Sequence, residues 1–246
     1  MSKPGKGSDH KAATAPAPPL ISIVMAVYNG AAFLHEALEC IRRQTYPRVE
    51  LIVVDDGSTD ASGDIARSFG PAHYVHHANR GIAASRNRGV ALAGGEFLAF
   101  LDQDDTWRAD KIALQYEHLA ANPEVAIVLA KERLVFAEGY HSQYWVNHHL
   151  MLEEHVSVVP GAWLVRRSAF DTVGPFDGSF KIADDFDWLN RLLDTGARYG
   201  VVEETLLFKR LHEANASSRI DVACAEILTL MRASIHRRRA TGVLRS

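Results

Sequence analysis

Three carboxylates stand within four positions in Asp102-Gln103-Asp104-Asp105, directly after an apolar run at residues 96–101. Magnesium and manganese are hard cations that prefer oxygen ligands, keep one or two protein carboxylates and leave the other positions to water and substrate phosphate. Two acids spaced two apart in a turn suit that role; a solvated turn capping the next helix would look the same in isolation. A second acidic pair, Asp55-Asp56, precedes Gly57-Ser58. It reads either as an Asx turn or as a carboxylate that accepts the imide N–H of a uracil or thymine ring, or a ribose hydroxyl. Tyr28 either stacks its ring on such a base or packs on the turn as a rim residue. The third cluster is Asp184-Asp185-Phe186-Asp187-Trp188. A helix dipole accounts for one or two of its acids, and a carboxylate facing the same crevice would serve as general base on a hydroxyl. His212 is a candidate metal or diphosphate ligand, although a lone loop histidine is usually neither. His141, His148, His149 and His155 lack a recognised metal spacing and read as a loop facing solvent or an acceptor.

These clusters need elements to bring them together. Residues 21–27, 49–54, 96–101 and 125–130 are predominantly apolar runs, as expected of strands buried on both faces. Between them, Leu34, Ala37, Leu38 and Ile41 recur at helical spacing. Further helices are expected through about residue 69, over 82–93 and over 108–121. Ser58 or Thr59 is expected to cap the helix that follows Asp55-Asp56. A short strand is expected at 73–76. Such alternation predicts an α/β domain with parallel strands and helices on both faces, whose ligands bind beyond the carboxyl ends of the strands. Tyr28, Asp55, Asp56, Asp102 and Asp104 all fall at those ends. Residues 131–159 show no clean period and read as a variable binding region. Beyond it, strands are expected at 161–165, 199–202 and 206–208, and helices at 167–173, 185–193 and 221–236.

Composition excludes several classes. The chain has 246 residues, 47% hydrophobic and 23% charged, with a formal charge of -3. No overall positive field would gather nucleic acid, and none is expected as a partner. Cys40 and Cys224 do not suggest a disulfide framework. No run approaches the ~20 apolar residues of a membrane-spanning helix. Residues 1–20 read as a disordered leader, 21–217 as one domain, and 218–246 as a helix with a basic tail. Arg237-Arg238-Arg239 suits a helix C-terminus, or contact with an anionic membrane. A cytoplasmic setting is the expectation, with peripheral attachment at the inner face of the membrane as the alternative.

The motifs, taken in order, resemble those of the family 2 glycosyltransferases, which adopt the GT-A fold, a Rossmann-like, mostly parallel sheet flanked by helices. The match runs from about residue 21 to 217. Residues 23–30, with Ala26 where proline is usual, look like the family's first strand and turn. Residues 50–60 look like its nucleotide-binding strand, in which Asp56 faces the base. Residues 79–89 are similar to the helix before the metal motif, and residues 100–105 carry the D-x-D itself. The resemblance implies nucleotide-sugar binding by Ala26, Tyr28, Asp56, Arg86 and Asp102. It implies a Mn2+ or Mg2+ ion held by Asp104 and His212, and Asp185 as the catalytic base, with Asp184 where glutamate is usual.

By that resemblance the chain is expected to be an inverting, metal-dependent glycosyltransferase. Its donor would be a nucleotide-diphosphate sugar, with UDP or dTDP favoured by Asp56 and Tyr28, and its acceptor a hydroxyl on a glycan, a lipid-linked glycan or a small molecule. The Gln-x-x-Arg-Trp motif of the processive polymerases is absent, so single additions are expected. The rivals are a sugar nucleotidyltransferase, which would want a Gly-rich, Arg-containing phosphate loop after the first strand, and a non-catalytic binding or scaffolding protein on the same fold.

Overall fold

In the computed structural model, which describes residues 17–140, 154–213, 215 and 220–240, the apolar runs form the centre of one sheet. Strand β1 (Ile21–Val27) pairs in parallel with β2 (Val49–Asp55) on one side and β4 (Phe97–Phe100) on the other. Strand β3 (His73–His76) extends the parallel half beyond β2. All but one residue of β1 are buried, because α1 (Ala31–Arg42), α2 (Ser62–Ser68) and α3 (Ile82–Leu92) cover the faces. Leu34, Ala37, Leu38 and Ile41 are the buried stripe of α1, as their spacing predicts. Burying each large aliphatic side chain of that stripe stabilises the fold by about 1.5–3 kcal/mol. Gly89 of α3 packs directly on Val24, where a Cβ would run into that side chain.

The second half of the sheet is mixed. It adds β5 (Thr106–Trp107), β6 (Val125–Phe136), β7 (His155–Val156), β8 (Leu164–Arg166) and β9 (Arg198–Leu211). The strand order is β3-β2-β1-β4-β8-β6-β9-β5, with β7 on β6. Strand β8 runs antiparallel between β4 and β6, and β6 pairs in parallel with β9 through irregular register shifts. The remaining helices are α4 (Lys111–Ala121), α5 (Arg167–Val173), α6 (Asp184–Asp194) and α7 (Ile220–Ala240).

Several expectations change. Strand β6 continues six residues beyond Ala130, and β9 is one long strand where two were expected. Residues 131–136 are mostly half-buried or exposed and include Lys131, Glu132 and Arg133, which removes the apolar run that marks a central strand. Residues 18–20, expected in the leader, are held by the body. Tyr46 and Arg48 donate to the Pro19 and Pro18 carbonyls (2.8 and 3.1 Å), and the Glu96 amide to that of Leu20 (2.9 Å). Residues 1–16, and His141, His148 and His149 of the variable region, lie outside the described residues. Ser58 and Thr59 do not cap α2; both reach across to Asn29 instead.

An aromatic cluster fixes α6 against the sheet. Phe170 stacks on Trp188 with ring centroids 4.2 Å apart, and Phe100, Phe176 and Trp163 close around them. Trp188, Leu189 and Leu192 are the buried face of α6, so its first turn, with Asp184 and Asp185, is held at the edge of the parallel half.

Candidate functional site

The register puts the sequence-predicted residues along one edge. Val27 lies opposite Asp55 and Asp55 opposite His76, while the Leu101 amide donates to the Val24 carbonyl (3.2 Å). Tyr28, Asp56 and Asp102 therefore leave neighbouring strands at the same carboxyl edge, as the open α/β rule requires of a binding crevice. Ala26 lies one residue before the end of β1, partly exposed, and Tyr28 is 48% exposed at the rim.

The turn after β1 is built by the turn after β2. Asn29 has φ 48°, a left-handed conformation that asparagine tolerates. Its side-chain oxygen accepts from the Thr59 amide (2.8 Å), while Ser58, Ser62 and Asp60 accept from the amides of Asn29, Gly30 and Ala31 (3.0, 2.8 and 3.0 Å). Asp55 is buried; it accepts from the Ser58 amide and the Tyr74 hydroxyl (2.8 Å each) and is structural. Asp56 uses both oxygens on the Arg80 and Gly81 amides (2.8 and 2.9 Å) at the start of α3. Oδ1 also lies 3.3 Å from His77 Nδ1, while Oδ2 retains a second lone pair for another donor.

Gln103, the middle residue of the D-x-D turn, is a contact that sequence reading missed. Its Oε1 accepts from the Tyr28 amide (2.8 Å) and its Nε2 donates to the Tyr28 carbonyl (3.0 Å). Gly30 leaves room for this side chain, since a Cβ there would overlap it. A backbone clamp of this kind has no local signal, because Gln103 and Tyr28 are distant in sequence.

Arg86 is 4% exposed, and its guanidinium joins Asp102 (2.9 Å) to Asp184 (3.2 Å). The bridge connects the acidic turn to the first turn of α6. Asp184, 1% exposed, is committed to it; burial raises its pKa against the pull of Arg86. Asp102 is held below the usual carboxylate range by Arg86 and Lys209, although burial opposes this. Asp185 beside it is only half-buried, and accepts from the Phe186 amide (2.6 Å). Burial pushes Asp185 up to about 6, with Arg86 pulling down and Asp184 pushing up. Asp187, itself buried, pairs with Arg191 one turn on (2.7 Å).

Across the crevice, the end of β9 supports the D-x-D turn. Asp104 Oδ2 lies 2.8 Å from His212 Nε2 and 3.4 Å from the Asn215 amide nitrogen. Arg210 donates to the Asp104 carbonyl (3.0 Å) and its own amide to Asp105 (2.8 Å). Asp105 is buried and pushed up to about 7 by burial, while Lys209, 3.6 Å away, opposes the shift and Asp102 and Asp104 add to it. A carboxylate oxygen and an imidazole nitrogen thus already converge at Asp104 and His212. Among the described residues no group of three metal-ligating side chains gathers. Two protein donors, with the rest from phosphate and water, suit manganese or magnesium. His155 is elsewhere, bound to Glu132 (3.0 Å). Arg237 and Arg238 are tied to Asp194 (2.7 and 2.6 Å), so these two cations of the expected basic tail are engaged by the domain.

Known proteins share this architecture. A mannosyltransferase, PcManGT, from Pyrobaculum calidifontis, solved in complex with GDP-Man and Mn2+, superimposes with a TM-score of 0.71 at 21% identity, over 89% of this chain and 65% of that one. TarS of S. aureus in complex with UDP-GlcNAc gives 0.67 at 19% identity, over 81% and 60%. These likenesses establish the GT-A fold. In sequence, an uncharacterized glycosyltransferase of Rickettsia typhi is 31% identical over 214 residues, 81% of this chain and 66% of that protein. Glycosyltransferase GlyG of Streptococcus pneumoniae is 31% identical over 161 residues, 61% of this chain and 54% of the relative. The chain therefore spans about two thirds or less of the length of these relatives. Residues 22–174, which carry β1 to α5 and the whole D-x-D turn, match the family described as Glycosyl transferase family 2, and the chain belongs to that family.

Proposed function

We propose that this chain transfers a sugar from a nucleotide-diphosphate donor to an acceptor hydroxyl, with inversion at the anomeric carbon. The observation that carries the reading is the Arg86 bridge, which joins the acidic turn to the helix that begins with Asp184 and Asp185. Tyr28 and Asp56 receive the nucleoside, and Gln103 holds the Tyr28 backbone in place for it. Asp104 and His212 would hold a divalent cation, which when bound stabilises the charge of the departing diphosphate. Asp185 takes the acceptor proton as the acceptor oxygen bonds to the anomeric carbon and the bond to the diphosphate oxygen breaks. Arg86 and Asp184 position it. The family membership and the nucleotide-sugar complexes of TarS and PcManGT support this reading.

Calorimetric titration of UDP, dTDP, GDP and ADP, with and without manganese, tests the donor site on the wild type and on Asp104→Asn. Metal-dependent binding of a pyrimidine diphosphate, lost in the variant, is the expected result. Binding of GDP alone would transfer the role of Asp56 to purine selection. No binding of any nucleotide would favour the scaffolding alternative.

The pH profile gives a second test. A general base must be ionised, and Asp185 is protonated below about 6. The expected kcat/KM therefore falls with acidification through about 6 and levels above it. A profile that stays flat through that region would remove Asp185 from the role.

A further inference from the structure

Helix α7 has two unlike faces. Its inner face is fixed to the domain: Leu230 is buried, and Glu226 accepts from the amides of Lys181, Ile182 and Ala183 (2.8, 3.0 and 3.0 Å). Ser234, with Arg237 and Arg238, reaches Asp194 at the end of α6. On the outer side, Cys224, Leu228, Met231 and Ile235 follow one another at spacings of four, three and four, which is one stripe of an α-helix. Leu228 is 58% exposed, Met231 55%, Ile235 43%, and Ile227 beside them 37%. Helical phase sets Arg232 and Arg239, both exposed, along one border of the stripe.

We infer that α7 docks flat on an anionic lipid surface. The stripe enters the boundary between headgroups and acyl chains while Arg232 and Arg239 meet lipid phosphates, as amphipathic interfacial helices do. Among the described residues no helix is long and apolar enough to cross a membrane, so the helix lies on the surface. Size favours this occupant over a second copy of the chain. A standard protein interface takes roughly 20–30 residues a side, and the stripe offers far fewer. The inference does not depend on the transferase reading, because it is measured without donor.

The full chain is sedimented with vesicles of phosphatidylcholine alone and of phosphatidylcholine mixed with phosphatidylglycerol. Binding to the mixed vesicles only, weakened by salt, is expected. The double variant Leu228→Ser/Met231→Ser should lose about tenfold or more in vesicle affinity. Arg232→Gln/Arg239→Gln should lose the preference for anionic lipid. An unchanged urea midpoint in each variant shows that the fold is kept. Absence of binding to the mixed vesicles, or equal binding by both variants, overturns the inference. So does a dimer in sedimentation velocity that Leu228→Ser/Met231→Ser dissociates without any vesicle binding in the wild type, which would assign the face to a second copy.

Discussion

Asp185→Asn is expected to lower kcat by about 10²–10⁴ while leaving the affinity for the nucleoside diphosphate nearly unchanged. The amide is close to isosteric and keeps an oxygen to accept from the Phe186 amide, so the first turn of α6 has no reason to move. What disappears is the lone pair that receives the acceptor proton. Asp184→Asn separates position from chemistry: its side chain is buried and bonded to Arg86, and it should act through stability and placement. Steady-state kinetics on both variants, with calorimetry on the diphosphate, make the comparison. If Asp185→Asn weakens diphosphate binding at near-normal turnover, the residue belongs to the donor site and the base lies elsewhere.

The second large effect is on folding. Arg86→Met removes the cation between Asp102 and Asp184, and leaves two largely enclosed carboxylates facing each other. Breaking a buried ion pair from one side costs about 3–5 kcal/mol, because the stranded charge is neither solvated nor paired. Urea unfolding should report that loss as a lower midpoint. Its sign with pH is specific. In the variant both carboxylates favour the protonated form when folded, so its stability rises as pH falls. In the wild type Asp102 has a lowered pKa and contributes less as pH falls through it. The gap between the two proteins should therefore narrow toward acid. A loss of under about 1 kcal/mol, typical of solvated surface pairs, would mean that Arg86 is not the keystone described here.

The parallel half was legible because strands covered on both faces are written as predominantly apolar runs, and because each ended in a polar turn. Those turns named Tyr28, Asp56, Asp102 and Asp104 before any coordinates were needed. The partners that hold them were not legible in the same way. Gln103 serves Tyr28, Arg210 serves Asp104 and Asp105, and Glu226 serves the amides of 181–183, all through contacts distant in sequence and carried by ordinary polar side chains. Lys111 is the extreme case. At the start of α4 it reads as a solvated cation, yet it is fully buried and donates to Gln115 and the Trp163 carbonyl (2.7 and 3.0 Å). Strand β7 was missed because two residues carry no period.

Strands β6 and β9 carry separate duties past the middle of the sheet. The far end of β9 delivers Arg210 and His212 to the acidic turn, while β6, paired to it through Phe136 opposite Leu211, leads out to residues 137–154. The returning chain is fastened by β7, with Glu132 opposite His155. The outgoing segment therefore begins and ends on the same strand, and the residues at Asp104 are reached by the other. For protein engineering this makes the stretch between Phe136 and His155 a cassette bounded by paired strands: a segment of different length can be spliced there while β6 keeps its pairing with β7 and β9.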